Sequence, residues 1–198
     1  MTVTVQAVTD ALQAVVDPHT GKDLVSTKCL RNVTVSENDV AFDVELGYPA
    51  KSWIPELRKL LVAAAKTVPG VGNVSANIQS KIVAHAVQRG VQLLPGVKNI
   101  VAVASGKGGV GKSTTAVNLA LALHAEGARV GLLDADVYGP SIPALMGLKR
   151  EELGTDGRQI QPAERFGLKV MSMGLVMEEG EAVIWRGPML HGVVRQFL

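Results

Sequence analysis

A glycine-rich stretch near the middle of the chain holds the residue types best suited to chemistry. Residues 106–113 read Gly-Lys-Gly-Gly-Val-Gly-Lys-Ser. Four of them satisfy the spacing GxxxxGK[ST]: Gly106, Gly111, Lys112 and Ser113. Glycines let the backbone bend until its N–H groups converge on an anion, and the helix that follows adds the positive end of its dipole. A lysine and a hydroxyl directly after the last glycine suit a triphosphate, so the pattern predicts a P-loop.

A second motif competes for the same glycines. Gly106, Gly108 and Gly111 also satisfy GxGxxG, the pattern of dinucleotide-binding folds. In those folds a ribose-binding acid lies about 20 residues further on, whereas Asp134, the next acid at a strand end, comes 28 residues after Gly106. The Lys-Ser pair would also have no role there. The P-loop is therefore favoured over a dinucleotide site, and over a plain glycine-rich turn with a surface lysine.

The P-loop interpretation gives the residues of the loop specific roles. We expect Lys112 to neutralise β- and γ-phosphate oxygens, and the Ser113 hydroxyl to enter the shell of Mg²⁺, which otherwise keeps water and phosphate oxygens. The predicted nucleotide contacts are Gly106, Lys107, Gly108, Gly109, Val110, Gly111, Lys112, Ser113 and Thr114. Lys107 is additional, because the motif does not require a lysine at that position.

Two acidic residues follow the second strand of this part of the chain. Asp134 and Asp136 end the run Gly-Leu-Leu-Asp-Ala-Asp, and alternation places both on the same side as the strand emerges toward the phosphates. Carboxylates there suit the handling of water and Mg²⁺, although Asp136 could instead cap a helix that begins near Ser141. Residues 137–141 contain Gly and Pro, so we expect a loop that rearranges with the nucleotide.

The surrounding pattern predicts an α/β fold in two parts. Residues 1–80 are expected to form a small αββαβ domain: a helix over 5–16, a hairpin of strands 29–35 and 40–46, a helix over 54–68 and a strand over 71–78. A linker over 81–97 is expected to contain a connecting helix. Residues 98–198 are expected to form the N-terminal part of a P-loop NTPase parallel sheet with flanking helices. Its elements would be a buried strand over 100–104, a helix over 114–125, and strands over 130–133 and 168–171.

Composition limits the partners. The formal net charge of +2 is too small to imply nonspecific nucleic-acid binding, so no nucleic-acid partner is expected. The N-terminus lacks the features of a signal peptide and no apolar run approaches the length of a membrane span, so we expect a cytoplasmic protein without a membrane partner. One cysteine, Cys29, excludes an intrachain disulfide and a metal site built from two thiolates of the same chain.

The loop over residues 106–114 resembles the deviant Walker A form of the MinD/ParA-like ATPases, which reads GKGGVGKST. The resemblance implies that Lys107 reaches across a nucleotide-sandwich dimer to the partner's phosphates, like an arginine finger supplied in trans. A solvated lysine is the alternative. It further implies that Asp136 orients the attacking water and that Asp134 supports the water shell of the metal.

The motifs together resemble the Mrp/ApbC iron-sulfur cluster carrier ATPases, preceded by a small iron-sulfur assembly domain. The segments that carry this resemblance are 16–25, 30–33, 46–50, 57–58 and 68–71, followed by 103–123, 132–147 and 185–190. The resemblance implies a cytosolic homodimer that binds ATP, holds a [4Fe-4S] cluster between subunits and passes it to apo iron-sulfur client proteins. The two other functions considered are a MinD/ParA-like nucleotide-gated dimerisation switch and a nucleotide-binding interaction module without turnover.

The chain departs from that family in its thiolates. The family ligates the cluster with a Cys-x-x-Cys pair late in the ATPase domain, and related small domains often carry a cysteine where Lys51 stands. Neither is present, so we expect no iron-sulfur ligands in this chain. Cys29 is either a buried small hydrophobe or a lone ligand. Residues 189–198 are striped like an apolar helix and end without a stop signal, from which we expect a fragment of a longer protein.

Overall fold

The computed structural model describes residues 2–84, 94–155 and 160–177, together with positions 192, 194 and 197. The chain divides into two units, residues 1–85 and 86–198. The helix predicted in the linker falls largely on residues 85–93, and the helix predicted over 189–198 falls at the end of the chain. Both predictions therefore lie outside the described residues, apart from the three isolated positions.

The first unit contains the predicted helices and strands in order, but its first helix ends at Gln13 rather than at residue 16, and two short strands that were not predicted follow it. Its elements are α1 (Val5–Gln13), β1 (Val16–Asp17), β2 (Lys22–Asp23), β3 (Leu30–Ser36), β4 (Asp39–Leu46), α2 (Ile54–Ala65) and β5 (Val74–Ser80). Strands β3 and β4 form the predicted antiparallel hairpin, and β5 pairs with β4 in parallel. The connection from β4 to β5 runs through α2, as a parallel pair requires. Strands β1 and β2 form a separate antiparallel pair.

Two periodicities build the core of the first unit. Along β4 every second residue is buried, and these residues are Val40, Phe42, Val44 and Leu46. The helices contribute residues four apart, which lie on one helix face: Val8 and Leu12 from α1, and Leu57, Leu61 and Ala65 from α2. All belong to one apolar cluster. The sheet therefore packs one face on both helices.

The second unit contains shorter elements. They are α3 (Lys112–Ala125), β6 (Gly131–Asp134), α4 (Ile142–Met146), a 3₁₀ helix (Arg150–Glu152), β7 (Gly154–Thr155), β8 (Ile160–Gln161), β9 (Ala163–Arg165), β10 (Leu168–Ser172) and α5 (Met173–Val176). Strand β10 lies between β6, to which it is parallel, and β9, to which it is antiparallel. The α/β class is thus as predicted, but the sheet over the described residues is mixed rather than parallel.

The strand predicted over residues 100–104 is wrong for this structure. Residues 97–105 form no strand, and Ile100 and Val101 are 68% and 66% exposed. A strand needs neighbours that pair its N–H and C=O groups, and a buried one also needs helices on both faces. Within the described residues, no strand pairs with this segment. Apolar character alone therefore does not bury it.

The turn between β9 and β10 anchors the end of α3. Phe166 and Gly167 both have positive φ, 53° and 77°, as expected of a two-residue hairpin turn. A Cβ at Gly167 would overlap the imidazole of His124, which lies in the last turn of α3. The absent side chain therefore lets the helix approach the turn. In the ranges described, no helix is both long and apolar enough to cross a bilayer.

Candidate functional site

The glycine-rich loop leads directly into α3, which begins at Lys112. Gly109 and Gly111 adopt φ of 71° and 86°, a left-handed conformation that glycine reaches without a Cβ penalty. Gly111 is the N-cap of α3 and supplies no side-chain hydrogen bond to the helix. The first N–H groups of this 14-residue helix therefore keep their capacity to bind an anion.

The two lysines of the loop differ in environment. Lys112 is half-buried, and its Nζ lies 3.5 Å from the carbonyl oxygen of Lys107, so the side chain folds back over the loop. Lys107 is exposed, and its N–H donates to Ser105 Oγ at 3.1 Å. Its ammonium makes no hydrogen bond or ion pair within the part of the chain described. The structure thus holds one lysine against the loop and leaves the other facing solvent.

The Ser113 hydroxyl contacts the loop that follows β6. Ser141 donates a hydrogen bond to it, with 2.8 Å between the two Oγ atoms, and both residues are half-buried. Ser141 directly precedes α4. The structure therefore brings the predicted magnesium ligand into contact with residues 137–141, the loop predicted to rearrange.

Asp134 is buried, and its carboxylate accepts three hydrogen bonds. It is 4% exposed. Its Oδ2 accepts from the N–H of Ile142 and from the hydroxyl of Ser172, both at 3.2 Å, and its Oδ1 accepts from the N–H of Asp136 at 3.1 Å. Ser172 is its partner in the register of β6 and β10. Asp134 therefore joins the ends of two strands to the start of α4.

Asp136 lies beyond the strand and is exposed. Its Oδ1 accepts from the N–H of Gly139 at 3.1 Å, which closes the loop locally. The residue that accepts the first N–H of α4 is Asp134. The helix-capping role considered for Asp136 therefore belongs to Asp134, and the carboxylate of Asp136 remains at the surface.

The oxygen atoms present fit Mg²⁺ only with help from a nucleotide. The Ser113 hydroxyl is a suitable hard ligand, but most acceptor positions of the Asp134 carboxylate are taken. Among the described residues, no three His, Cys, Asp or Glu side chains converge as a metal site.

Two members of this arrangement were not predictable as site residues. Ser141 and Ser172 carry no motif of their own, and their roles depend on which elements become neighbours. A partial signal exists for Ser172, because it ends an apolar strand as Asp134 does. If β6 and β10 are paired in parallel, their polar ends must meet.

The first unit has a polar cluster of its own around Asp17. The carboxylate is 1% exposed. It accepts from the Tyr48 hydroxyl at 2.7 Å, the Thr20 hydroxyl at 3.2 Å and the His19 N–H at 3.1 Å. Cys29 is half-buried and packs against the apolar core. The cluster therefore fixes the turn after β1.

Tyr48→Phe is expected to lower the free energy of unfolding by about 1–2 kcal/mol, because Asp17 loses a donor. Burial, and then the hydrogen bond to Asp17, raise the pKa of Tyr48 above its ordinary value of 10.0. The folded state thus favours the neutral phenol, so its contribution is complete below pH 10 and is lost as the pH rises further. Urea unfolding at neutral and alkaline pH measures both effects. A free energy of unfolding for Tyr48→Phe equal to that of the parent at neutral pH would contradict the expectation.

Comparison with known proteins identifies the second half of the chain. The family model of the NUBPL iron-transfer P-loop NTPases matches residues 96–198, just over half of the chain. The chain belongs to this family. A second model, of iron-sulfur cluster assembly proteins, matches residues 5–76 of this iron-transfer P-loop NTPase. The family resemblance predicted from the motifs is confirmed.

Curated relatives of this NTPase carry one name. The iron-sulfur cluster carrier protein of Synechocystis sp. is 41% identical over 98% of this chain and 56% of its own length. That of Deinococcus radiodurans is 42% identical over 95% and 53%. The chain therefore spans about half the length of the relatives it matches. A solved structure of a nucleotide-binding protein from Archaeoglobus fulgidus in complex with ADP is 39% identical in the matched region. The match covers 48% of this chain and 35% of that protein's chain, with a TM-score of 0.38.

Proposed function

We propose that this iron-transfer P-loop NTPase binds and hydrolyses ATP to assemble [4Fe-4S] clusters or transfer them to apoproteins. It would do so as a cytoplasmic homodimer. The observation that carries the nucleotide part is the loop over 106–111, where left-handed glycines precede an uncapped helix and Lys112 folds back over the backbone. The relatives named as cluster carriers support the iron-sulfur part.

The proposed roles follow from position. Backbone N–H groups at residues 106–114 bind the phosphates, and Lys112 neutralises the β- and γ-oxygens. The Ser113 hydroxyl holds Mg²⁺, which when bound neutralises charge on the phosphate oxygens. Asp136, exposed after β6, orients the attacking water. Asp134 is assigned to holding the loop that carries Asp136, in addition to the support of the water shell implied by family resemblance.

The cluster is cargo in this proposal. A [4Fe-4S] cluster takes four thiolates as a rule, and the 198 residues contain one cysteine. Two copies would supply two thiolates, so ligands for the cluster must come from outside these residues. The ATP site, in contrast, is built from residues that the chain contains.

Lys107→Ala tests the proposed dimer. If the exposed ammonium acts on the partner's phosphates, the variant is expected to bind MgATP within about 2-fold of the parent but to lose hydrolysis by about 1,000-fold or more, as when an arginine finger is removed. Titration calorimetry with MgATP and ATP turnover measure these two properties, and light scattering with and without ATP measures dimerisation. Lys169→Ala is a control because Lys169 is also exposed and its removal changes the net charge equally.

Unchanged turnover in Lys107→Ala would exclude the lysine from catalysis in trans. Dimerisation of the parent with ATP but without turnover would instead favour the nucleotide-gated switch. The structural feature behind that second candidate is the contact between Ser113 and Ser141, which joins the proposed nucleotide site to a surface loop.

A further inference from the structure

Ser141 occupies a helix N-cap but does not cap the helix. A serine at this position normally accepts a hydrogen bond from an N–H in the first turn. Here the side chain of Ser141 makes no such bond, and Asp134 accepts the N–H of Ile142 instead. The Ser141 hydroxyl is directed to Ser113 Oγ at 2.8 Å. A buried carboxylate thus takes over the capping role and leaves the serine hydroxyl for another task.

The loop that carries Ser141 packs against α5. Pro140 and Pro143 lie against Gly174 of α5, where a Cβ would be only 3.1 Å from Pro140 Cγ and 3.3 Å from Pro143 Cγ. Asp134 holds both ends of the loop through the N–H groups of Asp136 and Ile142. These contacts fix the Ser141 hydroxyl relative to the start of α3.

A hydroxyl held in a fixed position can set the orientation of the hydroxyl to which it donates. The oxygen of Ser113 has two lone pairs and one proton, and the proton rotates to suit its surroundings. When Ser141 donates, it occupies one lone pair of Ser113 Oγ, and the Ser113 proton points away from it. The second lone pair then remains for a cation, so the orientation needed for metal binding exists before the metal arrives.

We propose that Ser141 is a positioning residue that orients the Ser113 hydroxyl for Mg²⁺ and couples metal binding to the loop over residues 137–141. This inference rests on the proposed MgATP site. Since Asp134 holds the same loop, the coupling extends to Asp136. Ser141 itself touches neither the phosphates nor the reacting atoms in this proposal. Its effect is specific to the metal-dependent part of nucleotide affinity.

The test compares ATP affinity with Mg²⁺ and with EDTA, measured by titration calorimetry on the full chain. In the parent, Mg²⁺ is expected to tighten binding. The measured quantity is the dissociation constant in EDTA divided by the dissociation constant with Mg²⁺. In Ser141→Ala this ratio is expected to fall about 2- to 12-fold, the range for loss of one hydrogen bond. The affinity in EDTA is expected to stay within about 2-fold. Ser141→Thr keeps the hydroxyl and is expected to restore the ratio.

Two further variants make the result decisive. Ser141→Cys keeps the shape of the side chain, but its thiol is a weak donor, so it is expected to behave like Ser141→Ala. If Ser141→Ala does not fold, Ser141→Cys provides the same test. Thr115→Ala removes an exposed hydroxyl from α3 and is expected to keep the parent ratio. An unchanged ratio in both Ser141→Ala and Ser141→Cys overturns the inference, as does an equal loss of affinity in EDTA. Absence of ATP binding by the parent would instead refute the proposed function, and this inference with it.

Discussion

Replacing Lys112 with alanine is expected to weaken MgATP binding roughly 10- to 150-fold, because a hydrogen bond to a charged group contributes about 1.5–3 kcal/mol. The side chain already lies over the loop, 3.5 Å from the carbonyl oxygen of Lys107. Little conformational freedom is therefore lost when it meets a phosphate. Titration with a fluorescent ATP analogue in the presence of Mg²⁺ measures the effect.

The control for Lys112→Ala is again Lys169→Ala, which removes an equal charge from the exposed face of β10. Long-range attraction of an anion would be reduced similarly in both variants, and high salt would diminish it. A direct contact predicts a loss in the Lys112 variant alone. Equal affinities for parent and Lys112→Ala would contradict the assignment of this lysine to the phosphates.

Replacing Asp134 with alanine is expected to destabilise the second unit by about 2–5 kcal/mol, because two buried donors and one half-buried donor lose their acceptor. The affected donors are the N–H groups of Asp136 and Ile142 and the hydroxyl of Ser172. Removing one partner of a buried hydrogen bond leaves the other desolvated and unpaired. Hydrogen exchange of peptides over residues 163–176 measures the stability of this unit separately from that of the first.

Two variants separate the causes of that loss. Asp134→Asn keeps the shape and one acceptor oxygen, so its effect is expected to be smaller. Asp136→Ala removes an exposed carboxylate with one bond to Gly139, and a cost below about 1 kcal/mol is expected. Equal exchange in parent and Asp134→Ala would show that the three hydrogen bonds do not hold the end of the sheet.

The local sequence pattern is sufficient to predict an element when residues that are close in sequence are also in contact in the structure. The β3–β4 hairpin follows from alternating apolar residues on either side of a polar turn, and both strands are found. Helix α3 lies where a helix was predicted after the glycine-rich loop, although it begins at Lys112 rather than at Thr114. In these elements each residue's environment is set within a few positions of the chain.

Contacts between distant segments could not be predicted in the same way. The run from Ile100 to Ala104 is apolar enough for a buried strand, yet all of it except Val103 is exposed, and no described strand pairs with it. The hydrogen bond between Ser113 and Ser141 joins residues 28 apart. Asp134 and Ser172 meet only because β6 and β10 are adjacent. Each of these outcomes depends on sheet order, which periodicity does not encode.

The binding of a nucleotide's phosphates by residues 106–114 is tested most directly by a proton-nitrogen NMR titration of the full chain with MgATP. Backbone amide shifts are expected to change most at the loop glycines and at the first residues of α3. Unshifted amides at residues 106–114 under saturating MgATP, or changes confined to the first unit, would contradict the P-loop assignment.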